Sequence, residues 1–247
     1  MTSSLDPKVR DRVWDQLRPV ALPDSRFHFD FARMHPDFLG SADAAGRLLA
    51  AITPTPAIAF SAPDGALTNS RELLLSRGVR VVVSTYCMRR GFRLLDPGRI
   101  EARDFAFAAT LDGLERFGTP LSVADMAALG RIDLALSGAA AVAPNGVRFG
   151  RSYLYFDIEW GLMAELGLVG ERTPVAVVVH DVQVAGDRVA AMPHEAVPDF
   201  IATPTRLLRL PDRPRRPVGV NWQGIDADEI ELMPALVDLQ RARGQRG

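Results

Sequence analysis

Apolar positions first recur at helical spacing between Ser4 and Leu17, where Val9, Val13, Trp14 and Leu17 share one face. Pro7 suits the first turn of that helix, and Lys8, Arg10 and Arg12 lie off its apolar face. A loop rich in Pro, Phe and His runs from Pro19 to Leu39 and leads to a second helical pattern, Ser41 to Ile52, which Ser41 is placed to cap. Phe27, Phe29, Phe31 and Met34 in that loop either pack on the core or fold over a ligand as a lid. From Pro56 the texture changes to short β-prone runs separated by helical patterns: PAIAF, the stretch after Asn69, VRVVVST, IDLALSGAAAV, PVAVVVH and PDFIATP. Two of these runs contain three consecutive valines, and β-branched residues without polar alternation mark strands buried on both faces. The alternation predicts an α/β protein with three layers, α/β/α, around a mostly parallel sheet.

The tail reads differently. Arg206, Arg209, Arg213, Arg215 and Arg216 are interleaved with three prolines, which predicts an irregular, solvated connector over Pro211 to Pro217. Asp226, Asp228, Glu229 and Glu231 open a last helix that Arg241 and Arg243 close, the order the helix dipole favours. Pro234 either kinks that helix or marks its true first turn. Gly161, inside a helical pattern, implies a close contact, within the chain or at a dimer seam. The whole forms one domain: a helical segment 1–55, an α/β core 56–205, and a connector with its helix 206–247.

Composition narrows the picture without redrawing it. Of 247 residues, 47% are hydrophobic and 24% charged, which fits a protein with a real core. A formal net charge of −1 supplies no field for nucleic acid or an anionic membrane, so neither is an expected partner. Cys87, the lone cysteine, has no partner for a disulfide or a thiolate cluster, and this fits a reducing cytoplasm. The opening residues lack the apolar core of a signal peptide, and runs such as Val175 to Val179 are far shorter than the roughly 20 residues of a membrane span. A soluble cytoplasmic chain, monomer or homodimer, is expected. No GxSxG elbow, HExxH helix or Walker lysine loop is present, which removes the commonest hydrolase, zincin and P-loop readings.

Residues 131–205 carry more specific information. IDLALSGAAAVAPNGVRFGRSYLYFDIEWGLMAELGLV, then TPVAVVVHDVQV and PDFIATPTRLL, resemble the 5-formyltetrahydrofolate cyclo-ligase family, also called methenyltetrahydrofolate synthetase, in its divergent cyclo-ligase-like branch. VWDQL, SADAAGRLL and RGVRVVVST follow the same order of elements upstream. The resemblance implies a fold of the ribose-phosphate isomerase and coenzyme A transferase kind, and it implies ATP and magnesium. ATP would phosphorylate the formyl oxygen of a folate-like or other formyl- or amide-bearing small molecule, and the neighbouring ring nitrogen would displace phosphate. The alternative is a paralogue that kept the fold, lost ATP turnover, and binds another small molecule or regulates folate or thiamin metabolism.

The phosphate loop of that family reads roughly Gly-Arg-Gly-Gly-Gly-Tyr-Tyr-Asp-Arg, and here the nine places are Gly150 to Ile158, GRSYLYFDI. Gly150, Arg151, Tyr155 and Asp157 are kept, while Ser152, Tyr153 and Leu154 replace the central glycines. By resemblance, Arg10, Gly146, Arg148, Gly150, Arg151 and Ser152 are the cofactor-binding candidates and Asp157 is the magnesium ligand. Asp157 is equally placed to cap the helix that follows. Tyr155 lines the substrate side or packs at the core's rim. His180 and Asp181 close a buried strand at its carboxyl end, where open α/β sheets place ligands. Asp181 is the candidate to orient water or metal, against a polar turn as the plainer reading. Asn69 and Arg71 lie where relatives contact the folate.

Overall fold

The computed structural model describes residues 7–150 and 155–244. Its strands are β1 (Ile58–Ser61), β2 (Arg80–Ser84), β3 (Phe92–Leu95), β4 (Thr119–Leu121), β5 (Leu134–Ser137), β6 (Ala141–Val142), β7 (Arg148–Phe149), β8 (Val175–Val178), β9 (Phe200–Ala202) and β10 (Leu207–Arg209). The helices are α1 (Pro7–Leu17), α2 (Ser41–Ala51), α3 (Thr68–Ser76), α4 (Phe105–Ala108), α5 (Leu111–Phe117), α6 (Val123–Ala128), α7 (Tyr155–Glu165), α8 (Ala227–Glu231) and α9 (Pro234–Gly244).

Among the described residues, eight strands form one sheet in the order β10-β9-β8-β5-β1-β2-β3-β4, and β6 pairs with β7 separately. β1, β2, β5, β8 and β9 run parallel, whereas β3, β4 and β10 extend the two edges by antiparallel pairing. Every residue of β1, β5 and β8 is buried, as the unbroken apolar runs require. Chain direction reverses in the middle of the sheet. From β1 the chain moves to β2 on one side, and from β5 it moves to β8 on the other. With right-handed crossovers on both sides, α3 and α7 fall on opposite faces, giving the expected three layers.

Several local expectations are redrawn. Ser41 is the first residue of α2 and does not cap it; Gly40 takes the cap position at φ 81°. The Ser41 hydroxyl instead accepts from Asn69 Nδ2 at 2.7 Å, which ties α2 to α3. The stretch after Asn69 is helical throughout, as α3. The last helix is two helices, because Pro234 starts α9 and the acidic group of residues 226–231 belongs to α8. Gly161 makes its close contact inside the chain: a Cβ there would sit 2.8 Å from the Gly219 carbonyl oxygen.

Residues 211–217 are irregular and mostly exposed, as expected, but the arginine-rich segment is not solvated throughout. Its first part pairs as β10, and Arg213 and Arg216 then converge on Asp199. Arg216 is buried, donates to the carbonyls of Thr173 (2.9 Å) and Val197 (3.1 Å), and lies 5.1 Å from the centre of the Trp160 ring. A guanidinium that finds a carboxylate, two carbonyls and an aromatic face can be buried, and composition alone does not reveal such partners.

Candidate functional site

A cavity of about 70 Å³ lies where the sheet reverses direction, between the carboxyl ends of β1 and β5. Ala62 to Asp64 follow β1, Tyr86 and Cys87 follow β2, and Ser137 and Gly138 end β5. Tyr155, Phe156 and Glu159 on the first turns of α7 form one wall, and Arg33 to His35 from the N-terminal loop close another. This is the crevice where open α/β sheets bind ligands, because the chains leaving adjacent strands part company there. The loop carrying Phe27 to Met34 packs on the core, as one of the two sequence-based readings has it. Phe31 and Met34 are buried, while Phe27 stacks on Tyr86 at 4.8 Å beside the cavity.

Asp64 joins the two sides of the crevice. Its Oδ2 accepts the Gly138 N–H at 2.8 Å, and its Oδ1 lies 3.1 Å from His35 Nδ1, a close polar contact without ideal hydrogen-bond alignment. Burial pushes the Asp64 carboxyl up, but His35, the Gly138 amide and Arg71 outweigh it and hold it below the ordinary carboxylate range. Arg71 sits beneath the loop, donating to the carbonyls of Ala109 (2.7 Å), Ala62 (3.0 Å) and Asp64 (3.1 Å). Burial lowers its pKa to about 10, so it remains a cation at neutral pH and fixes the backbone after β1.

Behind Ser137, β7 and α7 bring Arg148 and Asp157 together as a buried ion pair. Arg148 also donates to Ser137 Oγ at 3.1 Å and lies 4.5 Å over the Phe156 ring. Asp157 Oδ1 accepts a second bond from the Ala196 N–H at 2.8 Å, and its Oδ2 has no partner among the described residues. Burial raises the Asp157 pKa, and Arg148 offsets this only in part. Glu159, 1% exposed, completes no hydrogen bond of normal geometry on either oxygen among the described residues. Its pKa is pushed up to about 8, first by burial and then by the neighbouring carboxylates Asp64 and Asp157, against the opposing pull of Ser84 and Arg148. Ser84 lies near enough to exert that pull, although its hydroxyl completes no hydrogen bond of normal geometry.

The sequence-based candidates divide. Tyr155 and Arg148 line the cavity, and Asp157 is bonded to Arg148. The Tyr155 hydroxyl donates to Glu229 Oε1 at 2.8 Å, and burial together with Glu229 and Cys87 pushes the phenol's pKa up. Asp181 lies elsewhere, accepting from Thr203 (2.7 Å) and Thr205 (2.6 Å) in a turn after β8. These hydroxyls outweigh burial and keep its pKa low. His180 caps that turn by accepting from the Val182 N–H at 3.3 Å. Arg10 is exposed, paired with Asp11 at 2.8 Å and lying 5.0 Å over the Trp14 ring. Gly146 sits at the tip of the β6–β7 hairpin at φ 90°, a conformation that favours glycine on its own account. Gly150 is exposed just after β7. Arg151 and Ser152 lie outside the described residues.

His35, Asp64 and Glu159 are the residues sequence reasoning missed. Asp64 follows β1 directly, a strand-end position that deserved the same weight as Asp181. Glu159 had a signal too, as an acid among the apolar residues of YFDIEWGLM. His35 had none, because its role depends on how the N-terminal loop folds over the sheet.

Asp157 as arranged does not fit a magnesium ion. One oxygen is committed to Arg148 and Ala196, the guanidinium adds a positive charge beside the other, and no group of three His, Cys, Asp or Glu side chains converges among the described residues. A far larger cleft, about 1160 Å³, lies between α6, α9 and residues 217–222. It adjoins Glu165 at the carboxyl end of α7, away from the strand ends, and that carboxylate is engaged by the Val220 amide (3.0 Å) and the Trp222 indole (3.1 Å). Among the described residues no helix is long and apolar enough to cross a membrane.

The fold is α/β, with a crevice at the switch point of its sheet, the place where such sheets put small-molecule ligands. Comparison with known proteins narrows the class. The chain is 31% identical over 244 residues to a methenyltetrahydrofolate synthase domain-containing protein of Mus musculus, covering 97% of this chain and 64% of that one. The Bos taurus and Homo sapiens proteins of the same name are 30% and 29% identical over the same share of this chain, which covers 63% and 62% of their lengths. The chain thus spans just under two thirds of these relatives. No family model matches. Among solved structures, the NMR structure of Aquifex aeolicus 5,10-methenyltetrahydrofolate synthetase aligns with a TM-score of 0.47 at 16% identity, covering 84% of this chain and 93% of that one. The resemblance to the divergent cyclo-ligase-like branch, visible first between residues 131 and 205, extends over nearly the whole chain.

Proposed function

We propose that this chain is a cyclo-ligase-like protein whose switch-point cavity receives a folate-like small molecule. The observation that carries the reading is the convergence on one cavity of the His35–Asp64 pair, Glu159 and the Tyr155 phenol. Similarity to proteins named for a methenyltetrahydrofolate synthase domain supports the ligand class. In this reading Asp64 stays ionised and faces the positive charge that develops when the neighbouring amine nitrogen closes on the activated formyl carbon to give an amidinium-type product. Tyr155 stays protonated and orients the ligand as a donor, and the Phe27–Met34 loop limits access of water.

Removal of the formyl oxygen as phosphate would be supplied by ATP with magnesium. Arg151 and Ser152 are the residues proposed to meet that phosphate, and no step is assigned to a metal at Asp157. The pairing of Arg148 with Asp157 favours a second reading, a fold-retaining binder without ATP turnover, since each neutralises the group the other would offer a nucleotide.

Thermal unfolding in the presence of 5-formyltetrahydrofolate, then with ATP and magnesium added, tests the proposal, because a ligand that binds only the folded state raises the midpoint. A shift with the folate alone is expected. Methenyl product formed only with ATP selects the enzymatic reading, and a shift without product selects the binder. No shift under any condition removes the folate-like ligand.

A further inference from the structure

We propose that Glu159 presents a neutral carboxylic acid to the cavity and binds the ligand through a cis-amide edge, the adjacent N–H and C=O of a lactam or amide. The inference deepens the reading of this cavity as the ligand site and rests on it. Glu159 lies one turn beyond Tyr155 on α7, so both side chains reach the same cavity. It is almost wholly buried, and among the described residues neither oxygen completes a hydrogen bond of normal geometry, Ser84 being the nearest hydroxyl, although buried polar groups are nearly always satisfied.

The surroundings decide its charge state. Asp64 approaches from the loop after β1 with His35 beside it, and Asp157 from the same helix. Arg148 approaches from β7 but is committed to Asp157 and Ser137, while Ser84 comes from the end of β2, and Tyr155 and Cys87 complete the wall. An ionised Glu159 would be a third buried carboxylate beside Asp64 and Asp157, whose neighbouring cations, Arg71 and Arg148, are already engaged. A protonated one offers an O–H donor and a C=O acceptor side by side, the complement of a cis-amide edge. A carboxylate ligand would meet like charge, and an ammonium ligand would require the ionised acid. The volume of about 70 Å³ compares with about 30 Å³ per water molecule, so the end of a ligand enters and the rest lies outside.

Two measurements test this. In the first, unliganded wild type is compared with Glu159→Gln by denaturant unfolding between about pH 5 and about pH 9. The unfolded chain releases the Glu159 proton before the folded one does. Wild type is therefore expected to lose stability relative to the variant as pH rises toward 8, and parallel profiles would overturn the neutral acid.

In the second, binding of the simple lactam 2-pyrrolidinone is followed by ligand-observed NMR, and that of 5-formyltetrahydrofolate by calorimetry. With a pKa of about 8, affinity of wild type for 2-pyrrolidinone is expected to fall about tenfold by about pH 9. Glu159→Gln, whose amide keeps a donor and an acceptor, should bind without that dependence, which leaves any contribution of the His35–Asp64 pair visible by itself. Absence of lactam binding near pH 6, or wild-type binding that ignores pH, overturns the proposal even where the folate binds. Lactam binding with the expected pH profile but no folate binding would instead remove the folate-like ligand and leave Glu159's role standing.

Discussion

Asp64 and Gly138 meet across the point where the sheet reverses, the carboxylate of one accepting the backbone N–H of the other at 2.8 Å. That bond closes the crevice between the loops leaving β1 and β5, and it leaves no room at Gly138. A Cβ there would sit 2.8 Å from Asp64 Oδ2. Gly138→Ala is therefore expected to displace Asp64 and destabilise the protein by about 1–3 kcal/mol, the usual cost of overpacking. Denaturant unfolding gives the stability, and loss of ligand binding beyond that change would report the displaced carboxylate. An alanine variant as stable as wild type would contradict the contact.

Asp64 also sets an acid limit. Its pKa is lowered in the folded state, so its contribution is fully present above the unfolded value of 3.8 and is lost as pH falls through the lower folded value. Asp64→Asn should therefore flatten the stability profile below about pH 4 while changing its shape little above about pH 5. Unfolding midpoints across that range decide the matter, and an unchanged acid limb would sink the assignment.

Arg148 and Asp157 form a buried pair, and removing one member strands the other. Arg148→Met is expected to cost about 3–5 kcal/mol, and the double variant with Asp157→Leu less than the sum of the two single changes. Additive losses in a double-mutant cycle would mean that the two residues act independently.

Arg216 distinguishes a staple from a connector. Arg216→Lys keeps the charge but loses the fork that reaches Thr173, Val197 and Asp199, so a loss of about 2–4 kcal/mol is expected. Exposed Arg215→Lys should change stability by less than about 0.5 kcal/mol. Equal effects would restore the solvated connector that composition suggested.

Much of the fold was legible because its signals are local. Valine runs without polar alternation can only be strands covered on both faces, and their spacing from helical patterns gives a parallel, three-layered sheet. β3 and β4 were not legible, since short strands with partly exposed residues carry weak periodicity. The site divides along the same line. Tyr155, Arg148 and Asp157 stand near one another in sequence and could be read from a motif, and Glu159 lies in that same segment but outside the motif's places, whereas His35 and Asp64 come from distant segments that only the fold brings to it. Asp181 marks the limit of the strand-end rule: β8 lies beyond the switch point, and the hydroxyls of Thr203 and Thr205 satisfy the carboxylate where it stands.

The most direct test of the central claim is to map 5-formyltetrahydrofolate on the protein by backbone amide chemical-shift perturbation. The account requires the largest shifts at Ala62, Asp64 and residues 86–87, 137–138 and 155–159, the loops and helix turn around the cavity. Shifts confined to the cleft between α6 and α9, or none at saturating ligand, would contradict it.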